Sequence, residues 1–239
     1  MRPPVTDTAR LLRDGYTVLR GAIAPDRLDA VRAAFDANVQ PSHAWPVPRG
    51  PGWRHAMVDL DPGVRAVCRL PALVRAAAVL IGERFFLAQV EGREPLAGDG
   101  HQGLHRDLSD QRPGDTVNAL AFLDDYGPHN GATRLVPGTH RDPGTPPARD
   151  ADEARAIQLQ GRAGDILVFD ADLLHAATHH PGDARRRSLL IGYFAASRHA
   201  AHLETARLRN VRMAALDWFD RDGRPEPAAA PPVGTAARV

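Results

Sequence analysis

Two segments of this 239-residue sequence carry side chains that could hold a metal ion between them. His105-Arg106-Asp107 follows a glycine-rich stretch, Gly100-His101-Gln102-Gly103-Leu104. In an extended chain alternate side chains share a face, so His105 and Asp107 point one way and Arg106 the other. The pair makes a two-toothed clamp of imidazole and carboxylate. The second segment, Gly164-Asp165 through His175, reads as a turn, a buried strand and a histidine just beyond it. Together they supply two histidines and one carboxylate. Such a facial set fills three positions of an octahedral metal and leaves three open, the geometry associated with non-haem Fe(II) oxygenases. The same ligands also suit zinc with an open position, as in a hydrolase, or a metal-binding sensor protein without turnover.

A third segment separates these possibilities. Arg185-Arg186-Arg187-Ser188 follows His175 and opens a strand. If that strand runs back beside the metal, Arg186 and Ser188 share a face and hold a carboxylate, the guanidinium supplying paired donors. Neither a zinc hydrolase nor a sensor needs a carboxylate clamp there. Arg185 and Arg187 are expected to be solvated charges. Among the remaining histidines, His43, His55, His129, His140, His179, His180, His199 and His202 are expected to lie in solvent. His101 stands four residues before His105, but in a glycine-rich loop that spacing defines no common face, so it is not expected to be a ligand. Cys68, the single cysteine, lies in an apolar helical neighbourhood and reads as core; alone it excludes an intramolecular disulfide and Cys-rich metal sites.

The elements that must position these groups fall into two halves. Helical patterns cover residues 6–13, a stretch starting near Asp26 as a possible cap with Leu28, Val31, Ala34 and Phe35 on one face, and residues 71–81 before Gly82. A short strand, 16–19, follows the first helix. Residues 40–55 hold four prolines and read as a loop bearing Trp45 and Trp53. From residue 84 the texture changes to short Val-, Phe- and Leu-rich runs at 84–90, 116–123, 133–136, 166–169 and 188–194, with turn signals between them. No helix of adequate length separates these runs, so a sandwich or barrel is expected rather than a parallel sheet. Residues 141–155 form a polar insertion, and 225–239 a Pro/Ala-rich tail expected to be mobile.

Composition bounds the alternatives. The chain is 43% hydrophobic and 25% charged, which suits one globular domain, expected over residues 1–224. All 30 basic residues are arginine, set against 29 acidic ones, and the net charge is +1. Without lysine there is no Schiff base and no P-loop, and without a basic arm nucleic acid is not an expected partner. Residues 1–13 lack an apolar signal core and no run is long enough to span a membrane, so a cytoplasmic protein is expected.

The motifs together resemble the phytanoyl-CoA dioxygenase family of Fe(II)/2-oxoglutarate-dependent dioxygenases. They are Asp14-Gly15-Tyr16, Leu104-His105-Arg106-Asp107, Asn130-Gly131-Ala132, Val136-Pro137-Gly138-Thr139-His140, Gly164-Asp165 through His175, and Arg186. The resemblance runs from about residue 10 to 200. It implies a double-stranded β-helix (jelly-roll, cupin-like) core over about 83–200 with helices, about 1–82, packed outside: mainly β, or α+β. It further implies His105, Asp107 and His175 as ligands of Fe(II), Arg186 on the distal carboxylate of 2-oxoglutarate with Ser188 assisting, and dioxygen as second cosubstrate. The implied reaction hydroxylates an unactivated carbon of a small organic molecule, releasing succinate and CO2. An iron halogenase needs a vacant ligand position for halide, which Asp107 fills. Some departures from the family stand out: Ala176-Ala177-Thr178 replaces a polar turn, and Leu120 stands where some members carry an aromatic residue. Asn118, on the same face as Leu120, and Gln89, on the preceding strand, are candidate cosubstrate contacts or satisfied core amides. Substrate recognition is expected from loop 40–55, through Trp45, Trp53 and Arg54, and from the 141–155 insertion.

Overall fold

The computed structural model describes residues 7–107, 114–142, 150–182, 184–214 and 216–227. Helix α1 (Thr8–Asp14) starts on Asp7, whose carboxylate accepts a hydrogen bond from the amide of Arg10, and stops at Gly15, φ +78°. A side chain at Gly15 would be strained by that φ and would also run into the ring of His140, so both backbone and packing demand glycine there. Strand β1 (Tyr16–Leu19) follows. Helix α2 (Pro25–Ala37) is capped by Ala24 rather than Asp26: the fixed φ of Pro25 suits the first helical position, which pushes Asp26 into the first turn.

Residues 40–55 are not simply a loop. Strand β2 (Val39–Gln40) and β3 (Trp53–Ala56) occupy the ends of that segment and pair antiparallel. The sequence reading also passed over helix α3 (Pro62–Cys68), which begins where the Asp61 carboxylate accepts from the amide of Val64. Helix α4 (Pro71–Ile81) ends on Gly82, φ +72°, as its sequence implies. Strands β4 (Phe85–Pro95), β5 (Thr116–Phe122) and β6 (Thr133–Leu135) precede α5 (Asp150–Arg155), which lies in the polar insertion. Residues 143–149 of that insertion lie outside the described residues. The chain continues through β7 (Ile157–Gln158), β8 (Ile166–Asp170), β9 (His175–Ala177), β10 (Ser188–Ala195), α6 (His199–Thr205) and β11 (Trp218–Phe219).

The larger sheet has the order β1-β8-β5-β10-β4-β3-β2, every pairing antiparallel, with β11 also bonded to β4; β7-β6-β9 form a smaller sheet. Strand alternation gives the large sheet two distinct faces. Val117, Ala119 and Ala121 of β5, Val168 of β8 and Ile191 of β10 pack against Leu11, Val31, Phe35 and Leu73 of the helices. On the opposite face Phe122, Leu167 and Phe169 meet Leu135 of the small sheet. This is a jelly-roll core, two antiparallel sheets not closed into a barrel, with helices covering one outer face. No helix among the described residues is long and apolar enough to cross a membrane. The start of the expected tail is fastened: Pro225 bridges to Phe219, and Glu226 pairs with Arg84 at 2.6 Å. Residues 228–239 lie outside the described residues.

Candidate metal centre

Backbone pairing brings the two histidines together. His105 and His175 are directly opposed in an antiparallel bridge, each amide donating to the other's carbonyl at 3.0 Å, so both rings leave the chains on one side. A second bond, from the amide of Asp107 to the carbonyl of Ala171, carries the pairing forward to the carboxylate. The ligand atoms of His105, Asp107 and His175 lie within 4.8 Å of one another. The Asp107 carboxylate sits 3.5 Å from Nε2 of His105 and 3.6 Å from Nε2 of His175.

Hydrogen bonds fix which ring nitrogen faces inward. Nδ1 of His105 contacts the carbonyl of Gly103 at 2.9 Å, and Nδ1 of His175 that of Leu173 at 2.8 Å. A carbonyl only accepts, so each Nδ1 carries the proton and each Nε2 keeps a lone pair for a cation. Nδ2 of Asn118 donates to Oδ2 of Asp107 at 2.6 Å and sets the carboxylate's orientation. Burial opposes ionisation of Asp107, but His175 and His105 outweigh it and hold its pKa at about 2. Burial pulls His175 below the ordinary histidine range, while Asp107 raises His105. A carboxylate charged at neutral pH and two imidazoles with lone pairs facing each other form a donor set that fits a divalent iron.

The motif at 136–140 braces this arrangement from behind. Oγ1 of Thr139 donates to the carbonyl of Val136 and accepts from the amide of Leu174, the residue before His175, at 2.8 and 2.9 Å. Nε2 of His140 contacts the carbonyl of Leu12. His140 is therefore buried, as are His55, His180 and His202, contrary to the expectation of solvated rings. For His140 and His55 the partners, Leu12 and Glu91, come from distant segments and cannot be read locally.

A chamber opens beside the three candidate ligands, lined also by Trp53, Arg93, Gln102, Leu120, Phe169, Arg186, Ser188 and Leu190. Arg186 is 2% exposed. Its Nη1 donates to the hydroxyl of Tyr126 at 3.1 Å, and its guanidinium lies over the rings of Tyr126 and Trp53, 4.9 and 5.5 Å from their centroids. Its Nε and Nη2 are buried with no partner. Two adjacent unpaired donors are costly to bury, and one bidentate carboxylate satisfies both. Arg187 is not the solvated charge expected, since it is buried against Asp124 and Asp36; Arg185 is exposed as expected, though paired with Glu94 and Asp36.

The other sequence candidates divide. Ser188 lines the chamber and donates to the carbonyl of Arg93. Gln89 faces a neighbouring cavity, where its Oε1 accepts from Arg209 at 2.6 Å. Trp53 faces Arg186, whereas Arg54, next along β3, points to the opposite side of the sheet and meets Glu94. Trp45 is buried, with its ring edge-on to His55 and beneath Arg49. Tyr126, Gln102 and Arg93 escaped the sequence reading, since no spacing ties them to the ligand motifs.

The profile of the phytanoyl-CoA dioxygenase family matches residues 11–188. Dioxygenase cdmA of Talaromyces verruculosus is 36% identical over 103 residues, 39% of this chain and 34% of that protein. Dioxygenase olcK of Penicillium canescens is 33% identical over 127 residues, 49% of this chain and 40% of that one. The chain thus matches about a third to two-fifths of the length of these curated relatives. Among solved structures, SnoN, a non-heme α-ketoglutarate-dependent epimerase from nogalamycin biosynthesis, superposes with a TM-score of 0.64 at 20% identity, covering 79% of this chain and 81% of that one. At that identity the likeness shows the fold.

Proposed function

The chain belongs to the phytanoyl-CoA dioxygenase family, and from that premise we propose that it is an Fe(II)- and 2-oxoglutarate-dependent oxygenase that hydroxylates a carbon of a small organic molecule. His105, Asp107 and His175 would hold the iron, and Arg186 the distal carboxylate of 2-oxoglutarate. The observation that carries this reading is the pair of unpartnered, buried donors Nε and Nη2 of Arg186 in the chamber that the three ligands also line. A zinc hydrolase or a metal sensor has no use for such a clamp.

When bound, iron with 2-oxoglutarate and dioxygen supplies an oxidant strong enough for unactivated carbon, with succinate and CO2 as by-products. The chain's share is positioning and shielding. The carbonyls of Gly103 and Leu173 lock the two imidazoles in the tautomer that presents Nε2. Asn118 steers the Asp107 carboxylate, and Asp107 itself fills the position a halide would need, which favours hydroxylation over halogenation. Arg186 neutralises the incoming carboxylate, while Trp53, Leu120, Phe169 and Leu190 keep water from the chamber.

The test is succinate formation and oxygen uptake by purified protein. Both should require Fe(II) and 2-oxoglutarate together and should fall to background in Asp107→Ala. Succinate formation that persists in that variant, or that proceeds without 2-oxoglutarate, would rule the reading out.

A further inference from the structure

A second cavity adjoins the first along the same face of the large sheet, and Asp107, Arg93 and Leu190 line both. The second cavity is lined by Arg49, Arg93 and Arg209, by the apolar Leu190 and Phe194, and by one further carboxylate, Glu91. Asp107 is engaged by His105, His175 and Asn118. Three guanidiniums therefore face a single available carboxylate.

Their bonding leaves positive charge over. Glu91 is shared, pairing with Arg49 and with Arg93, each at 2.6 Å. The hydrogen bonds of Arg209 go to neutral partners: Oε1 of Gln89 at 2.6 Å, Nδ1 of His202 at 2.8 Å, the carbonyl of His202 and the hydroxyl of Thr205. No carboxylate among the described residues forms an ion pair with it. His202 is itself neutral, since burial holds its pKa at about 4, and supplies no negative charge. Nε of Arg49 is buried without a partner. Burial pulls both Arg49 and Arg209 below the usual guanidinium range, as expected of cations that have lost water without gaining a full counter-charge.

We propose that this cavity is the substrate chamber and that the substrate is an organic anion, its carboxylate or phosphate held by Arg49 and Arg209 and its apolar body lying against Leu190 and Phe194. The assignment rests on the oxygenase reading, because it is Asp107 at the junction that puts the apolar body beside the reacting centre. Guanidinium forks suit either anion, and apolar lining suits a carbon chain next to it.

Three matched probes, octanoate, octyl phosphate and the neutral octanamide, are titrated calorimetrically into the full chain loaded anaerobically with Fe(II) and 2-oxoglutarate, so that Arg186 is already occupied. At least one anion should bind about tenfold or more tightly than the amide. Octanoate ahead of octyl phosphate marks a carboxylate substrate, and the reverse order a phosphate. Arg49→Met and Arg209→Met should each erase the preference. Glu91→Gln should increase it, a gain that misfolding cannot produce. Equal binding of all three probes, or a preference that survives both arginine substitutions, overturns the proposal. If iron and 2-oxoglutarate fail to bind, the oxygenase reading falls instead, and the same probes titrated into Arg186→Met still decide the anion site.

Discussion

Arg186 and Arg187 are neighbours in the chain with opposite fates. Arg186 turns into the chamber and keeps two donors unpaired, whereas Arg187 turns to the helix side and closes on Asp124 at 2.8 Å and Asp36 at 2.7 Å. Arg186→Ala should leave the fold intact and weaken 2-oxoglutarate binding by well over tenfold, as expected from roughly 2–5 kcal/mol for truncating one side of a buried charge pair. Calorimetric titration of the cosubstrate reads this directly. Arg187→Ala should leave cosubstrate affinity unchanged and lower stability by about 1–3 kcal/mol, because Asp124 loses the guanidinium closed on it and keeps only the residue-187 amide and the more distant Arg32; thermal unfolding checks it. Alternation along an extended strand made the inward direction of Arg186 legible in the sequence. The partners of Arg185 and Arg187 were not legible, since Asp36, Glu94 and Asp124 reach them from segments remote in the chain.

Strand β3 shows why an element can hide. Its four residues sit beside the prolines and glycines of residues 40–52, and only pairing with β2 and β4 identifies them as a strand. That pairing sends Trp53 and His55 to the chamber side and Arg54 to the other. Trp53→Ala should therefore loosen Arg186 and raise the 2-oxoglutarate requirement several-fold, while Arg54→Ala should leave it unchanged; cosubstrate saturation curves separate the two. His55 carries a pH dependence. Burial, helped by the nearby charges of Arg93 and Arg49, outweighs Glu91 and holds His55 at about 4, below the ordinary 6.5. Below pH 6.5 the unfolded chain takes up a proton that the folded one refuses. The contribution is complete above pH 6.5 and is lost as pH falls towards 4, amounting to roughly 1–3 kcal/mol. His55→Gln should reduce the slope of the unfolding free energy across that window, part of the remainder coming from His202, also held at about 4; an unchanged slope would contradict the role of His55.

Across the whole molecule, the jelly roll places three proposed sites on one sheet face: the candidate metal ligands at the bridge between β9 and the segment at 105–107, the proposed cosubstrate clamp just before β10, and the arginine-lined cavity towards β4 and α6. The run of short strands after residue 84 and the paired histidine motifs made the core and the triad legible, because strand alternation is local physics. The burial of His55 and His140 and the second cavity were not legible, because each depends on contacts between distant segments, whereas helix α3 carries a local start signal in Asp61-Pro62. The central claim is that one iron binds between His105, Asp107 and His175. Anaerobic calorimetric titration with Fe(II) tests it most directly, comparing the native chain with His175→Ala and His101→Ala. One iron per chain is predicted for the native protein and for His101→Ala, with tight binding lost in His175→Ala. Retention of stoichiometric, tight iron in His175→Ala would contradict the account.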